Sequence, residues 1–219
     1  EVVVVTSGAV GAGMAALGIN ERPTAVSDLQ MCAAVGQARL MSHYAKLFES
    51  SRILVGQILL THDDFGHRVR SANARRTFEH LLRSGVVPIV NENDVVADEE
   101  LKADLSFGDN DYLAALVVKM IRADLLVILT TVDGVLREDA RGIKRRVTCI
   151  EHWNDDVFKL VKPEANGLSK GGMDSKLRSA CLATRAGCAV VIGNGRKADT
   201  LTDIMRGENV GTLIVSSPL

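Results

Sequence analysis

Short aliphatic runs, bounded by glycine or polar residues, alternate along this chain with longer stretches of helical period. Val2-Val3-Val4-Val5 opens the chain as a β-branched run of the kind found in buried parallel strands. It breaks at Thr6-Ser7-Gly8-Ala9, from which small residues (Gly11, Ala12, Gly13, Ala15, Ala16) continue as a helix. After a turn at 20–24, residues 25–48 are helical in period, with Leu29, Cys32, Ala33, Leu40, Tyr44 and Leu47 on the apolar side. Gly36 in that helix allows a close crossing or a kink. A strand at 53–60 leads to a turn at Thr61-His62-Asp63-Asp64. The helix 70–84 follows, with Ala74, Phe78, Leu81 and Leu82 inward and Gly85 as its C-cap.

The next strand, 86–90, stops abruptly in four polar residues, Asn91-Glu92-Asn93-Asp94. An acidic, irregular segment separates it from a second polar cluster, Gly108-Asp109-Asn110-Asp111, where a helix over 110–121 begins with Asp109 or Asn110 as N-cap. Strand 124–131 ends in Thr130-Thr131-Val132-Asp133-Gly134, and a small charged hairpin or lobe spans 135–146. A short helix at 151–161 precedes the Gly-rich loop Ser169-Lys170-Gly171-Gly172-Met173-Asp174-Ser175-Lys176, which runs into a helix over 177–186. The pattern closes with a strand at 189–192, a glycine turn at Gly193 and Gly195, a helix at 198–206 and a strand at 212–215.

At least five strands alternating with helices, and no Pro/Gly/Ser-rich linker between them, predict one α/β domain. Its architecture is a three-layer αβα sandwich on a mostly parallel sheet. In such sheets ligands bind beyond the carboxyl ends of the strands. That rule directs Ser7-Gly8, Asn91 to Asp94, Thr130-Thr131 and Gly193-Asn194-Gly195 toward a site.

Composition narrows the function classes. With 219 residues and 47% hydrophobic content the chain can fill a core, and a net charge of −1 makes no electrostatic case for nucleic acid or an anionic membrane. No apolar run reaches the roughly 20 residues that span a bilayer. Arg68, Arg70, Arg75 and Arg76 lie along one amphipathic helix, as a solvated or subunit-facing surface. Cys32, Cys149, Cys181 and Cys188 form no C-x-x-C pair, and three sit in apolar runs as small core residues. The expected compartment is a reducing cytoplasm. His62, His67 and His80 lack metal-ligand spacing. Neither the dinucleotide fingerprint nor a P-loop is present.

The remaining polar residues suggest chemistry. Gly171-Gly172 before a helix offers free N–H groups and a positive dipole end to a phosphate. Lys176, in the first turn, is unfavourable there unless an anion such as ATP polyphosphate neutralises it. Asn91, Asn93, Asp94, Asn110 and Asp111 admit two readings. They could ligate a metal, although cation cages prefer more carboxylate, or they could hold an amino acid's ammonium and carboxylate groups.

Four segments occur here in the order and spacing of the glutamate 5-kinases of the amino acid kinase superfamily. They are Thr6-Ser7-Gly8-Ala9, Val90-Asn91-Glu92-Asn93-Asp94, Phe107-Gly108-Asp109-Asn110-Asp111 and Gly171-Gly172-Met173-Asp174-Ser175-Lys176, and the chain resembles that family over nearly its whole length. Ala33-Ala34-Val35-Gly36-Gln37 and Val210-Gly211-Thr212-Leu213 are similar to it as well. The resemblance implies ATP-dependent phosphorylation of the γ-carboxylate of L-glutamate, the first step toward proline. It implies that Ser7, Asp94 and Asn110 bind glutamate, and that Asp111 orients catalytic lysines, Lys176 among them. Thr130, Thr131 and the loop from Lys170 through Gly171, Gly172, Met173, Asp174 and Ser175 to Lys176 would bind ATP, with Mg²⁺ accompanying it. It further implies a homo-oligomer (dimer or tetramer) and feedback inhibition by proline, for which the acidic segment 98–107 is the candidate region.

The chain also departs from the family pattern. Thr131 stands where many members carry an acid, and Lys170 where they carry a small polar residue. The family's first strand, with its Lys-x-Gly-Ser/Thr segment, is expected upstream of Glu1, and residues 1–219 without it are expected to turn over poorly. A C-terminal PUA domain, which many bacterial members carry, is not expected here. The competing expectations are another superfamily kinase, acting on uridylate, carbamate or acetylglutamate, and an amino-acid-sensing paralogue with impaired catalysis.

Overall fold

The computed structural model describes residues 1–97, 109–139, 141–153, 157 and 172–216. Contacts within the chain gather into two compact units, Glu1–Ser106 and Phe107–Leu219. The acidic segment 98–107, most of the expected helix 151–161 and the loop residues Lys170 and Gly171 lie outside the described residues, as does the residue preceding Asp109.

In the first unit three strands form a parallel sheet in the order β1-β3-β2: β1 (Val4–Val5), β2 (Val55–Leu60) and β3 (Val87–Glu92). The central β3 pairs Ile89 and Val90 with Val4 and Val5, and on its other side aligns Val87 with Val55 through to Glu92 with Leu60. Ile89 and Val90 are fully buried, as an apolar run in a parallel strand should be. The ladder carries β3 two residues beyond the apolar run, so Asn91 and Glu92 are strand residues rather than loop.

Helices α1 (Ala9–Leu17) and α2 (Val26–Glu49) pack against each other through glycine. A Cβ on Gly13 would sit 1.8 Å from the carbonyl oxygen of Cys32, and a Cβ on Gly36 would sit 1.8 Å from that of Ala9. Gly36 therefore serves a close crossing of two backbones. Leu47, expected on the apolar side of α2, is exposed near the helix end. The expected turn at 61–64 is instead the short helix α3 (His62–Gly66). There, the Thr61 backbone N–H and hydroxyl both donate to Asp64 Oδ2, at 2.7 and 3.0 Å, closing a local loop that starts a helical turn. Helix α4 (Arg68–Arg83) begins two residues before the expected start because His67 Nδ1 accepts from the Arg70 N–H at 3.3 Å and caps it. Gly85 follows at φ 70°, the left-handed residue that ends such a helix.

The second unit contains α5 (Asp109–Ile121), β4 (Leu125–Thr130), the antiparallel hairpin β5 (Leu136–Glu138) and β6 (Lys144–Arg146), and β7 (Cys149–Ile150). After these come α6 (Met173–Arg185), β8 (Ala189–Asn194), α7 (Thr200–Met205) and β9 (Thr212–Ile214). Its sheet order is β4-β8-β9-β7, with β4 parallel to β8, β9 antiparallel to β8 and β7 parallel to β9. The two-residue β7 is too short to carry a periodic signal. Val135, Leu177, Ala180, Val190, Ile192 and Ile214 form the centre of the core. The fully buried Thr212 ties that core together: its hydroxyl accepts from the Val135 N–H at 2.9 Å and donates to the Val147 carbonyl at 2.6 Å.

Two sets of substitutions test this packing in urea unfolding. Gly36→Ala and Gly13→Ala should each cost about 3 kcal/mol, because backbone rather than a movable side-chain tip occupies the space of the new methyl. Gly11→Ala, with nothing within 4 Å of the new methyl, should be neutral or stabilise by up to about 1 kcal/mol. Equal midpoints for Gly36→Ala and Gly11→Ala would refute the crossing. Thr212→Val should lose about 1–3 kcal/mol by leaving a buried N–H and a carbonyl without their shared hydroxyl, and Thr212→Ser should recover most of that loss.

Candidate active site

In the first unit the site starts where β1 leaves the sheet. The Thr6 N–H donates to the Val90 carbonyl at 2.9 Å, holding the strand end in register. Thr6 Oγ1 donates to the Ser7 carbonyl at 3.2 Å, so the Tyr44 hydroxyl, 2.8 Å away, donates to Thr6. Gly8 adopts φ 105°, a conformation glycine enters without steric cost, and α1 starts directly after it with no side-chain cap. Ser7 is exposed on this loop. Backbone N–H groups at such an uncapped first turn suit an anionic ligand group.

Beside this loop lies a cleft of about 310 Å³, walled by Ala9 of α1, by Ala33, Ala34, Gln37 and Ala38 of α2, by Gln57 and Leu59 of β2, and by Glu92 to Val95 at the end of β3. Small residues on two helices leave the room, and polar residues at the strand end supply the chemistry. Asp94 faces into it, whereas Ser7 is not among the lining residues. Asn91, only 2% exposed, anchors one wall. Its Oδ1 accepts from the Glu92 N–H at 2.9 Å, its Nδ2 donates to Gln37 Oε1 at 2.9 Å, and Gln37 Nε2 donates to Gln57 Oε1 at 3.1 Å.

In the second unit Asn110 and Asp111 occupy the first turn of α5, where the helix dipole favours a carboxylate. Lys176 occupies the first turn of α6, where the dipole opposes a cation. The structure brings the two together: Lys176 Nζ lies 2.8 Å from Asp111 Oδ2, with the side chains 14% and 20% exposed. The anion that Lys176 demands from its position is thus supplied in part by the fold itself. Gly172 is the extended N-cap residue of α6, followed by Met173, by Asp174 (paired with Arg178 at 2.8 Å) and by the buried Ser175.

Thr130 ends β4 opposite Asn194 of β8, and its carbonyl accepts from the Gly195 N–H at 2.8 Å. Thr131 follows, exposed. The expected glycine turn is different in detail. Gly193 belongs to β8, and the turn is organised by Asn194, whose Oδ1 accepts from the Arg196 N–H at 2.9 Å and whose carbonyl accepts from the Thr200 hydroxyl at 2.7 Å. Gly195 serves close packing, since a Cβ there would come within 3.0 Å of Leu129 Cβ. Asp133 accepts from Asn194 Nδ2 at 2.8 Å and pairs with Lys197 Nζ at 2.7 Å. The hydrogen bond from Lys197, then that from Asn194, holds its carboxyl below the usual aspartate range.

Two polar residues with defined roles in these networks, Gln57 and Lys197, escape a reading by motif, and Gln37 is read only as the end of the family-like segment Ala33 to Gln37, with no role of its own. Gln57 is the one polar side chain in the run Ile53 to Leu60, and Gln37 directly follows the glycine of the helix crossing. Those were the available signals. Among the described residues no group of three His, Cys, Asp or Glu side chains is placed to hold a metal ion, and no helix is long and apolar enough to cross a membrane.

Comparison with known proteins bears on both halves. The profile of the amino acid kinase family matches residues 1–194. The chain is 46% identical over 220 residues to a glutamate 5-kinase of Synechococcus sp. (strain JA-3-3Ab), covering 99% of this chain and 58% of that protein. It is 42% identical over 219 residues to a glutamate 5-kinase of Clostridium acetobutylicum, covering 98% of this chain and 80% of that protein. Against the Synechococcus relative it spans little more than half the length. In fold it is similar to a carbamate kinase from Giardia lamblia bound to AMP-PNP, with a TM-score of 0.64 at 18% identity over 99% of this chain and 84% of that one. A uridylate kinase from Archaeoglobus fulgidus gives a TM-score of 0.58 at 17% identity over 98% and 85%. Sequence and fold agree: the chain belongs to the amino acid kinase family.

Proposed function

We propose that the protein is a glutamate 5-kinase, transferring the γ-phosphoryl of ATP to the side-chain carboxylate of L-glutamate to give L-glutamyl 5-phosphate, the first step of proline biosynthesis. The observation that carries the mechanism is the Lys176–Asp111 pair; the substrate follows from the relatives that share the sequence.

The chemistry needs charge control rather than a base. A glutamate side chain has a pKa near ~4.3, so at neutral pH the nucleophile is already ionised. The obstacle is bringing one anion up to another, and stabilisation of the transferring phosphoryl group has to come from cations and N–H dipoles. Lys176 is the cation. Asp111, 2.8 Å away, fixes the direction of its ammonium group and abstracts no proton. Asp94 in the cleft takes the substrate's ammonium, with Ser7 and Asn110 as further glutamate contacts. Thr130, Thr131 and residues 170–176 hold the nucleotide.

A Mg²⁺ ion bound to the polyphosphate would supply further neutralisation of its charge. The donor set fits an ion that takes most of its ligands from phosphate and water, since the described residues offer no three-ligand cluster of their own. Four unpaired cysteines support a reducing, cytoplasmic setting. A homo-oligomer and inhibition by proline belong to the same reading.

ATP-dependent formation of γ-glutamyl hydroxamate in the presence of hydroxylamine tests the activity. Phosphorylation of uridylate, carbamate or acetylglutamate in place of glutamate would overturn it, as would binding of glutamate with no turnover of ATP. Two substitutions separate the roles. Asp111→Asn should lower kcat by about 10²-fold with little change in the KM for glutamate, because it removes the carboxylate that directs a cation acting on the transition state. Asp94→Asn should mainly raise that KM. The same kinetic defect in both would contradict the division.

A further inference from the structure

Three side-chain amides, two of them in the wall of the cleft, form a directional chain, and its direction is forced from one end. A backbone N–H can only donate, so the Asn91 atom 2.9 Å from the Glu92 nitrogen is an oxygen. The other end of that amide is then an NH₂ group, which can only donate, so the Gln37 atom facing it at 2.9 Å is Oε1. Gln37 consequently turns its NH₂ toward Gln57 and donates to Gln57 Oε1 at 3.1 Å. Each link leaves the next a single choice. At the far end Gln57 is exposed in the wall of the cleft, and its Nε2 has no hydrogen-bond partner among the described residues.

We propose that Gln37 is a positioning residue: through this chain it fixes the Gln57 amide so that the cleft presents an N–H₂ donor pair to a ligand carboxylate. Asp94 lines the same cleft and presents an acceptor. One pocket then carries an acceptor for an ammonium group and a donor for a carboxylate, the polarity of an α-amino acid. This assignment rests on the glutamate kinase reading for the identity of the ligand, but the chain itself does not. Without Gln37 the Gln57 amide can turn over at little cost, and its carbonyl oxygen would then face the substrate's carboxylate.

A double-mutant cycle tests the inference in the purified protein. Gln57→Met should raise the KM for L-glutamate about tenfold, and Gln37→Met several-fold, with the KM for ATP unchanged. The double variant should be no worse than Gln57→Met alone, since Gln37 acts through Gln57. Multiplying effects would overturn the proposal. Gln37→Glu separates positioning from packing. It keeps an acceptor for the buried Asn91 but offers Gln57 no donor, so it should restore the melting temperature lost in Gln37→Met and leave the KM defect in place; recovery of both would overturn the proposal.

A readout independent of any substrate is the side-chain amide region of a ¹H–¹⁵N spectrum. Gln37→Met should shift the NH₂ signals of both Asn91 and Gln57. An unmoved Gln57 signal refutes the chain even in an active glutamate kinase. A shifted Gln57 signal in a protein that phosphorylates no glutamate upholds the chain and counts against the functional reading alone.

Discussion

Two helices of the first unit touch at the level of their backbones, and the cleft of that unit depends on that contact. Gly13 and Gly36 each occupy a place where a methyl would lie 1.8 Å from the other helix's carbonyl oxygen, at Cys32 and Ala9 respectively. The crossing therefore fixes α1 against α2 through atoms that cannot change rotamer. Ala9, which makes one of these contacts, follows the left-handed Gly8 and lines the cleft, while Gln37, next to Gly36, lines the same cleft as the middle link between the amides of Asn91 and Gln57. A larger residue at either glycine would force the two helices apart, and with them the cleft residues that each helix carries.

The second unit solves an electrostatic problem instead. A lysine at a helix N-terminus faces the positive end of the dipole, and its partner carboxylate sits at another helix N-terminus where it is favoured. Asp111 thereby balances Lys176 without burying either group completely. A fully buried pair would be too well satisfied to interact with an incoming anion, and a fully exposed one would be screened by water and salt. At 14% and 20% side-chain exposure the pair lies between those limits.

Most strands were legible because buried parallel strands are continuous apolar runs, and Val87 to Val90 and Leu125 to Leu129 are such runs. The elements that were missed are set by particular polar contacts or by a strand distant in sequence rather than by periodicity. The short helix α3 exists because Thr61 closes onto Asp64, and the start of α4 is moved by one histidine nitrogen. Strand β7 is two residues long and is held by its neighbour β9, which is distant in sequence. The site divides the same way. Asp94, Asp111 and Lys176 stood out as charges at element ends, whereas Gln37 and Gln57 lie inside elements and acquire meaning only when α2 and β2 are placed beside β3. A neutral amide in a helix carries no pattern of its own.

The placement of Thr212 also bears on the order in which the chain can acquire structure as it is synthesised. Among the described residues the strands of the first sheet lie between Val4 and Glu92, so the pairings between them can all form before any residue of the second sheet is made. The second sheet has no such early stopping point. The N–H of Val135 and the carbonyl of Val147 share a hydroxyl that arrives 77 and 65 residues later, and among the described residues β7 has no strand partner until β9 exists. Until then the core around Val135 and Ile150 is lined with unsatisfied backbone, a state that exposes apolar surface to other chains. Translation thus leaves the half carrying Lys176 as the later and more vulnerable half to fold.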